Sequence, residues 1–257
     1  MTTSERPDTR TLELAKALAK EWGTDYVPRQ QHSIARLSRM RDDSDVAVVG
    51  PREVKLVPAD GPPLFFHPSM ALVRLKRLLE GGIDTLVEIS GTRPGDVVLD
   101  CTAGLCADAL VFSFAVGPQG RVVALEASPI VHAIVREGLK LYDTGLPEVD
   151  RAMRAVRPVL ASYESYLKQQ EDDSVDIVYF DPMFERPVDA SSSLEPLRAR
   201  AHMGPLTDEA VSEARRVARR SIVLKDHRGS GQFERLGFRQ ARKSGSSVAY
   251  GVITIGD

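Results

Sequence analysis

From Asp84 onward, short runs of β-branched and aliphatic residues alternate with longer segments whose apolar positions return every three or four residues. The first pattern predicts buried strands and the second amphipathic helices. A helix over DTLVEIS (Asp84–Ser90) leads to a strand over VVLD (Val97–Asp100). A helix from about Cys106 to Val116 leads to RVVALE (Arg121–Glu126), and a helix from Pro129 to Tyr142 leads to VRPVL (Val156–Leu160). SVDIVYF (Ser174–Phe180) is the fourth strand, TDEAVSEARRVARR (Thr207–Arg220) a helix with Thr207 as its N-cap, and SIVLKD (Ser221–Asp226) the fifth strand. The end of the chain, FRQARKSGSSVAYGVITIG (Phe238–Gly256), predicts a hairpin of two long strands. Regular alternation of this kind specifies an α/β fold, a parallel sheet with helices on both faces.

The first part of the chain has a different rhythm. Leu12, Leu14, Ala15, Leu18, Ala19 and Trp22 mark a helix over Arg10–Trp22, and Gly23 is placed to end it. Two short strands follow, DVAVVG and EVKLVP, around Gly50-Pro51, with LFFHPS as a candidate third. Residues 1–68 are therefore expected to form a small N-terminal α+β lobe, with the main domain over residues 69–257. A helix over MALVRLKRLLEGG joins the two, with Ser69 as its expected cap and Gly81-Gly82 as its stop. Arg74, Lys76 and Arg77 spread around that helix and form no single-faced stripe. His67 is a candidate for the wall of a ligand pocket, with a structural role as the alternative. The one long irregular stretch, residues 185–206, has the length of a functional lid or an unstructured loop.

Composition narrows the picture. The chain has 257 residues, a net charge of −2 and two cysteines, Cys101 and Cys106, whose spacing suits neither a disulfide framework nor a CxxC site. No apolar run reaches the roughly 20 residues of a membrane span, and the polar start MTTSERPDTR lacks a signal-peptide core. A cytoplasmic, reduced setting is expected. The near-neutral charge means that any nucleic-acid contact depends on local basic patches.

The chemistry concentrates in VVLDCTAGLCADALV (Val97–Val111). A strand that delivers a turn of small residues onto a helix N-terminus is the opening unit of a nucleotide-binding fold. Thr102, Gly104 and Cys106 stand where three glycines are usual, and Asp100 would repel a pyrophosphate, so a dinucleotide fits poorly. S-adenosylmethionine (SAM), with a sulfonium, an ammonium and no phosphate, suits the acid better. Glu126 ends the next strand about twenty residues past Cys106, the spacing of an acid that accepts hydrogen bonds from ribose hydroxyls. Asp108 sits in the first helical turn, where the dipole favours a carboxylate; it satisfies free N–H groups, binds the cofactor, or does both. Ser162 and Tyr163 follow the third strand, where a loop would pass an adenine.

Asp181-Pro182-Met183-Phe184 follows the fourth strand directly. A nucleobase amine is a poor nucleophile because its lone pair is delocalised. A carboxylate and a backbone carbonyl that accept its two N–H bonds fix it in place, proline stiffens the turn, and an aromatic face stacks on a base for about 1–3 kcal/mol.

Together, VLDCTAGLCAD, ALEASP and YFDPMFERP resemble the RsmJ family of small-subunit rRNA guanine-N2 methyltransferases, over roughly residues 85–230. FFHPSM ahead of them extends the likeness to YpiP-type methyltransferases over nearly the whole chain. The resemblance implies a Rossmann-like class I methyltransferase sheet closed by a C-terminal antiparallel hairpin, SAM as cofactor and RNA, in particular rRNA of the small ribosomal subunit, as partner. It implies cofactor contacts at Ala107, Asp108, Glu126, Ala127, Ser162, Tyr163 and Asp181, beside Asp100, Thr102 and Gly104 of the first turn. It places the acceptor amine between Asp181 and the Pro182 carbonyl, with Phe184 stacked on the base. Two departures stand out: Cys106 replaces the last glycine of the loop, and Glu185-Arg186 precede Pro187 where RsmJ has proline directly. The alternatives are methylation of a small molecule or a protein side chain, and a binding module without turnover. Lys225, at the end of the fifth strand, is a further candidate to face the target, and Arg198 and Arg200 are candidates to hold phosphates.

Overall fold

The computed structural model describes residues 1–42, 44–182, 205–241 and 247–256. The elements run β1 (Thr2–Thr3), α1 (Thr9–Glu21), α2 (Ile34–Arg39), β2 (Val46–Val49), β3 (Val54–Val57), β4 (Leu64–Phe65), α3 (Ser69–Leu79), α4 (Thr85–Ser90), β5 (Val97–Asp100), α5 (Ala107–Val116), β6 (Arg121–Glu126) and α6 (Pro129–Leu141). They continue with α7 (Pro147–Ala155), β7 (Arg157–Leu160), α8 (Tyr163–Lys168), β8 (Val175–Phe180), α9 (Asp208–Val217), β9 (Ala218–His227), α10 (Gln232–Arg235), β10 (Arg239–Gln240) and β11 (Val248–Thr254).

Two sheets form. The larger has the order β10-β11-β9-β8-β5-β6-β7. Its central strands are parallel, and β11 runs antiparallel between β9 and β10. This is the Rossmann-like sheet of a class I methyltransferase. The chain leaves β5 toward β6 and β7, then crosses back to place β8 on the other side of β5. Ligands in open α/β sheets bind at such a reversal, outside the carboxyl ends of the strands. The strands are near-continuous runs of Val, Ile and Leu because helices cover both faces; Val98, Leu99, Ile177, Val178, Ile222 and Val223 are all essentially inaccessible.

The smaller sheet, β1-β2-β3-β4, lies wholly within the first 65 residues. β1 pairs parallel with β2, a contact across more than forty residues that no local pattern announces. Its core joins that of the larger sheet through α6. Phe66 packs on Gly138, and its ring meets Tyr142 edge-on at 5.9 Å. A Cβ at position 138 would lie 2.2 Å from Phe66 Cβ, an atom near the backbone that cannot swing away. Gly138→Ala is therefore expected to cost about 1–3 kcal/mol by overpacking. Denaturant unfolding checks this; an unchanged midpoint would show that Phe66 retreats freely.

Several boundaries differ from the sequence expectation. Helix α9 stops at Val217, and Ala218–Arg220 belong to β9, whose register with β11 runs from Ser221 through His227. The long antiparallel partner of β11 is thus β9, and β10 contributes only two paired residues. Ser69 does not cap α3: Pro68 holds the cap position without a side-chain bond, and Ser69 N–H donates to His67 Nδ1 at 2.9 Å. Helices α7 and α8 were not expected from the pattern. α7 starts on Pro147 and buries Val149, Ala152 and Met153. Among the described residues no helix is long and apolar enough to cross a membrane.

Candidate active site

The carboxyl ends of β5, β6, β7 and β8 surround a cavity of about 230 Å³. Its floor is the turn after β5. Thr102 N–H donates to Asp100 Oδ1 at 3.1 Å, and Ala103 N–H to the Leu125 carbonyl at 3.0 Å, which ties the turn to β6. Cys106 occupies the N-cap of α5 with φ +62°, a left-handed conformation that favours glycine. Its side chain points into the core and is 1 % exposed, and it is not part of the cavity wall. The glycine-to-cysteine departure therefore leaves the wall in place and costs backbone strain instead, roughly 1 kcal/mol.

The structure brings Asp100, Thr102, Gly104, Ala107, Asp108, Glu126, Ala127, Ser162, Tyr163, Asp181 and Pro182 to the wall of this one cavity. Phe184, Arg198 and Arg200 lie outside the described residues, as does residue 185 onward to 204. His67 is exposed and does not line the cavity; its ring meets Tyr142 edge-on at 5.3 Å.

Each side chain is held by a nameable cause. Glu126 Oε1 accepts the Ser128 N–H at 2.7 Å at the entrance of α6. Burial nevertheless pushes its carboxyl above the ordinary value, with the surrounding N–H groups opposing. Asp100 is 1 % exposed, and burial raises its carboxyl well above the usual range. This rise weakens the repulsion of anions expected from the sequence relative to a free carboxylate. Ser162 caps α8 through its hydroxyl, and Tyr163 is buried against Phe180 edge-on at 5.6 Å.

An ionic network runs from the wall to α3. Asp181 N–H donates to Thr102 Oγ1 at 2.5 Å, tying the end of β8 to the turn after β5. Lys225 Nζ, from β9, donates to Asp181 Oδ2 at 2.6 Å and to Asp108 Oδ2 at 2.9 Å. Tyr179 Oη donates to the same Asp108 oxygen at 2.7 Å. Arg74, from α3, donates to Asp108 Oδ1 and holds both oxygens of Asp84 at 2.7 and 2.8 Å. Burial alone would raise Asp108, but Lys225 and Arg74 overcome it and hold the carboxyl well below the usual range. Asp181 goes the other way: burial, with Asp108 adding to it, outweighs Lys225 and pushes it up to about 6. The network thus drives the two carboxyls apart: Arg74 and Lys225 hold Asp108 low, and burial raises Asp181 to about 6.

The pattern of the sequence located Asp181 and Lys225 but assigned nothing to Arg74 or Tyr179. Arg74 had a signal: Ala71 and Leu75 are fully buried on α3, and a residue three after Ala71 shares their face. An arginine on an apolar face needs a buried anion. Among the described residues no group of His, Cys, Asp and Glu is arranged to hold a metal ion.

Comparison with known proteins agrees with this architecture. A family model for SAM-dependent methyltransferases matches residues 69–231. The chain is 40 % identical over 253 residues to the uncharacterized protein YpiP of Bacillus subtilis, covering 98 % of each. It is 32 % identical over 175 residues to ribosomal RNA small subunit methyltransferase J of Hahella chejuensis, covering 65 % of this chain and 64 % of that one. The crystal structure of the SAM-dependent methyltransferase NGO1261 of Neisseria gonorrhoeae superposes with a TM-score of 0.65 at 16 % identity, covering 99 % of this chain and 95 % of that one. With its central strand–turn–helix, its reversed strand order and its acidic cavity inside the matched span, this chain belongs to the family of SAM-dependent methyltransferases.

Proposed function

We propose that this methyltransferase acts on an exocyclic amine of an RNA base, with guanine N2 of small-subunit rRNA as the target. The observation that carries this reading is the placement of Asp181-Pro182. A carboxylate and a following backbone carbonyl sit at the mouth of the cavity, on the strand next to β5, with the carboxylate oriented by Lys225 and its backbone by Thr102. A carboxylate offers about four acceptor sites, so pairing with Lys225 leaves Asp181 able to receive N–H bonds from an amine. The similarity to the methyltransferase J sequence over 175 residues supports an RNA base as the bearer of that amine.

The residues present fit SAM, which supplies an electrophilic methyl group on a sulfonium when bound. Glu126 has one oxygen engaged by Ser128, and its carboxylate, an acceptor only, retains capacity for ribose hydroxyls. Thr102, Gly104 and Ala107 offer small side chains where the donor's chain must approach the backbone. Ser162, Tyr163 and Ala127 flank the side where an adenine would lie. Asp100 and Asp108 line the same wall, and of the two Asp100 has no ion-pair partner among the described residues, so it is the carboxyl that a cationic donor would engage. Lys225 and Thr102 fix Asp181, and Asp181 with the Pro182 carbonyl orients the amine for in-line attack. Holding two reactants at near-attack geometry is worth up to about 7–11 kcal/mol of a barrier. The base must be unstacked or single-stranded to reach the site.

The test is methyl transfer from labelled SAM to rRNA from a strain that lacks this gene. Label in a guanosine of the small subunit is the expected result. The near-neutral net charge favours a second reading, a small molecule or protein side chain as acceptor. Turnover on such an amine with no label in any RNA would overturn the first reading in favour of the second. Glu126→Ala is expected to weaken SAM binding by roughly tenfold or more, the worth of one or two hydrogen bonds to a charged group. Calorimetry reads this directly, and an unchanged affinity would remove Glu126 from the donor site.

A further inference from the structure

The buried network has a member that belongs to neither the strand–helix core nor the motifs around the cavity. Arg74 stands on α3, the helix that joins the small sheet to the large one. Its fork spans Asp84, at the N-cap of α4, and Asp108, on α5, at 19 % side-chain exposure. Asp108 accepts from three neighbours: Arg74 on one oxygen, Lys225 and Tyr179 on the other. Lys225 in turn divides its donors between Asp108 and Asp181. The placement of α3 is itself fixed, because Phe66, just ahead of it, is wedged on Gly138 and Tyr142 of the α6 end.

We propose that Arg74 is a positioning residue of the methyl-transfer site: from a helix outside the alternating core it holds Asp108 so that the Lys225 ammonium is shared with Asp181. The proposal rests on the reading of Asp181 as the group that orients the acceptor. Its physical basis is competition for one ammonium. While Arg74 neutralises one oxygen of Asp108, Lys225 is free to lean toward Asp181. Without Arg74, Asp108 claims Lys225 alone, and a second unscreened anion faces Asp181. Both changes disfavour the ionised form of Asp181. The groups that face Asp181 are Asp100 from β5, Asp108 from α5, Tyr179 on its own strand, Lys225 and Asp226 from β9, and Tyr250 from β11. Of these only Lys225 is a cation, so its position governs the charge of Asp181. The small sheet and α3 thereby acquire a role in the chemistry.

The test is a carboxyl-carbon NMR titration of Asp181 in the full chain, free of acceptor, for the wild type, Arg74→Met and Arg74→Lys. The expected result is a midpoint higher by about one pH unit or more in Arg74→Met. Arg74→Lys keeps the charge but cannot fork between Asp84 and Asp108, and an intermediate displacement is expected. A folded Arg74→Met protein of lower stability with the wild-type midpoint would overturn the proposal, since a purely structural arginine gives that result. Should Arg74→Met not fold, Arg74→Lys decides: an unmoved midpoint overturns the proposal and a raised one supports it. The titration needs no RNA, so it stands apart from the identity of the acceptor. Label absent from RNA together with a raised midpoint would refute the RNA reading and leave the role of Arg74 intact.

Discussion

Replacing Asp181 by alanine is expected to lower methyl transfer by about 10²–10³-fold, the loss seen when one preorganised polar group leaves a reacting centre, while SAM affinity stays within a few-fold. The split follows from position. Asp181 follows β8 directly, on the far side of β5 from Glu126, and lines the cavity. Its loss removes the acceptor for the amine N–H but leaves the ribose side untouched. Asp181→Asn separates charge from shape. The amide still accepts through its oxygen, yet it no longer balances Lys225, so an intermediate rate is expected. The pH profile supplies a second check with a fixed sign. Burial pushes Asp181 up to about 6, so the acceptor form is full above that value and lost as pH falls through it. The rate should therefore show an acidic limb near pH 6 that Asp181→Asn lacks. Stability moves in the opposite sense. A carboxyl raised on folding favours the native state below its unfolded value near 3.8, and that contribution is lost as pH rises through about 6. Equal rates for wild type and Asp181→Ala on the same acceptor would end this account of the site.

The local rules of the sequence reached the parts of this molecule that are themselves local. The unit from Val97 to Val116 was legible because strand, small-residue turn and helix follow one another without interruption, and Glu126 and Asp181 because they close apolar strands. The parallel sheet with helices on both faces followed from strict alternation, whereas the order of its strands did not. What escaped is long-range. β1 is two residues long and exists through its pairing with Val48 and Val49. In place of the predicted hairpin of two long strands, β11 pairs over seven residues with β9, from Ser221 to His227, and over two with β10, a long-range pairing that the local pattern does not announce. Arg74 and Asp108 are thirty-four residues apart in sequence and meet only after α3 is packed on α5. Tyr179 looked like an ordinary strand aromatic, since its hydroxyl is explained by Asp108, a partner that pattern reading cannot supply. Cys106, read as a departure at a glycine position that fits a dinucleotide poorly, adopts φ +62° and turns its side chain into the core, off the cavity wall.

The largest stability effect is expected at Asp108, through the charges it leaves behind. Asp108 has 7 % side-chain exposure and is the shared partner of Arg74 and Lys225. Asp108→Leu puts a larger, apolar side chain on a helix already buried around it, so overpacking adds to the cost of losing the charge. It strands two cations, one still paired with Asp84 and one with Asp181, and deprives the Tyr179 hydroxyl of its acceptor. Breaking a buried ion pair by removing one partner costs about 3–5 kcal/mol, a large share of the 5–15 kcal/mol by which folded domains exceed their unfolded chains. The pH dependence of the loss is specific. The Asp108 carboxyl is held well below the usual range on folding, so its contribution is complete above the unfolded value and disappears only as pH falls through the lower folded one. The Asp108 part of the stability gap should therefore be complete above the unfolded carboxyl range and narrow in stronger acid, with a further change near pH 6, because Asp181 is no longer pushed up by Asp108 in the variant. Denaturant unfolding at several pH values measures it. In a double replacement, Asp108→Leu with Arg74→Met, the loss should be smaller than the sum of the two single losses, because both singles break the same pair, while Asp84 is left without its cation whenever Arg74 is absent. Additive losses in the double variant would mean that Arg74 and Asp108 stabilise the fold through separate contacts, not through the pair that joins α3 to the floor of the cavity.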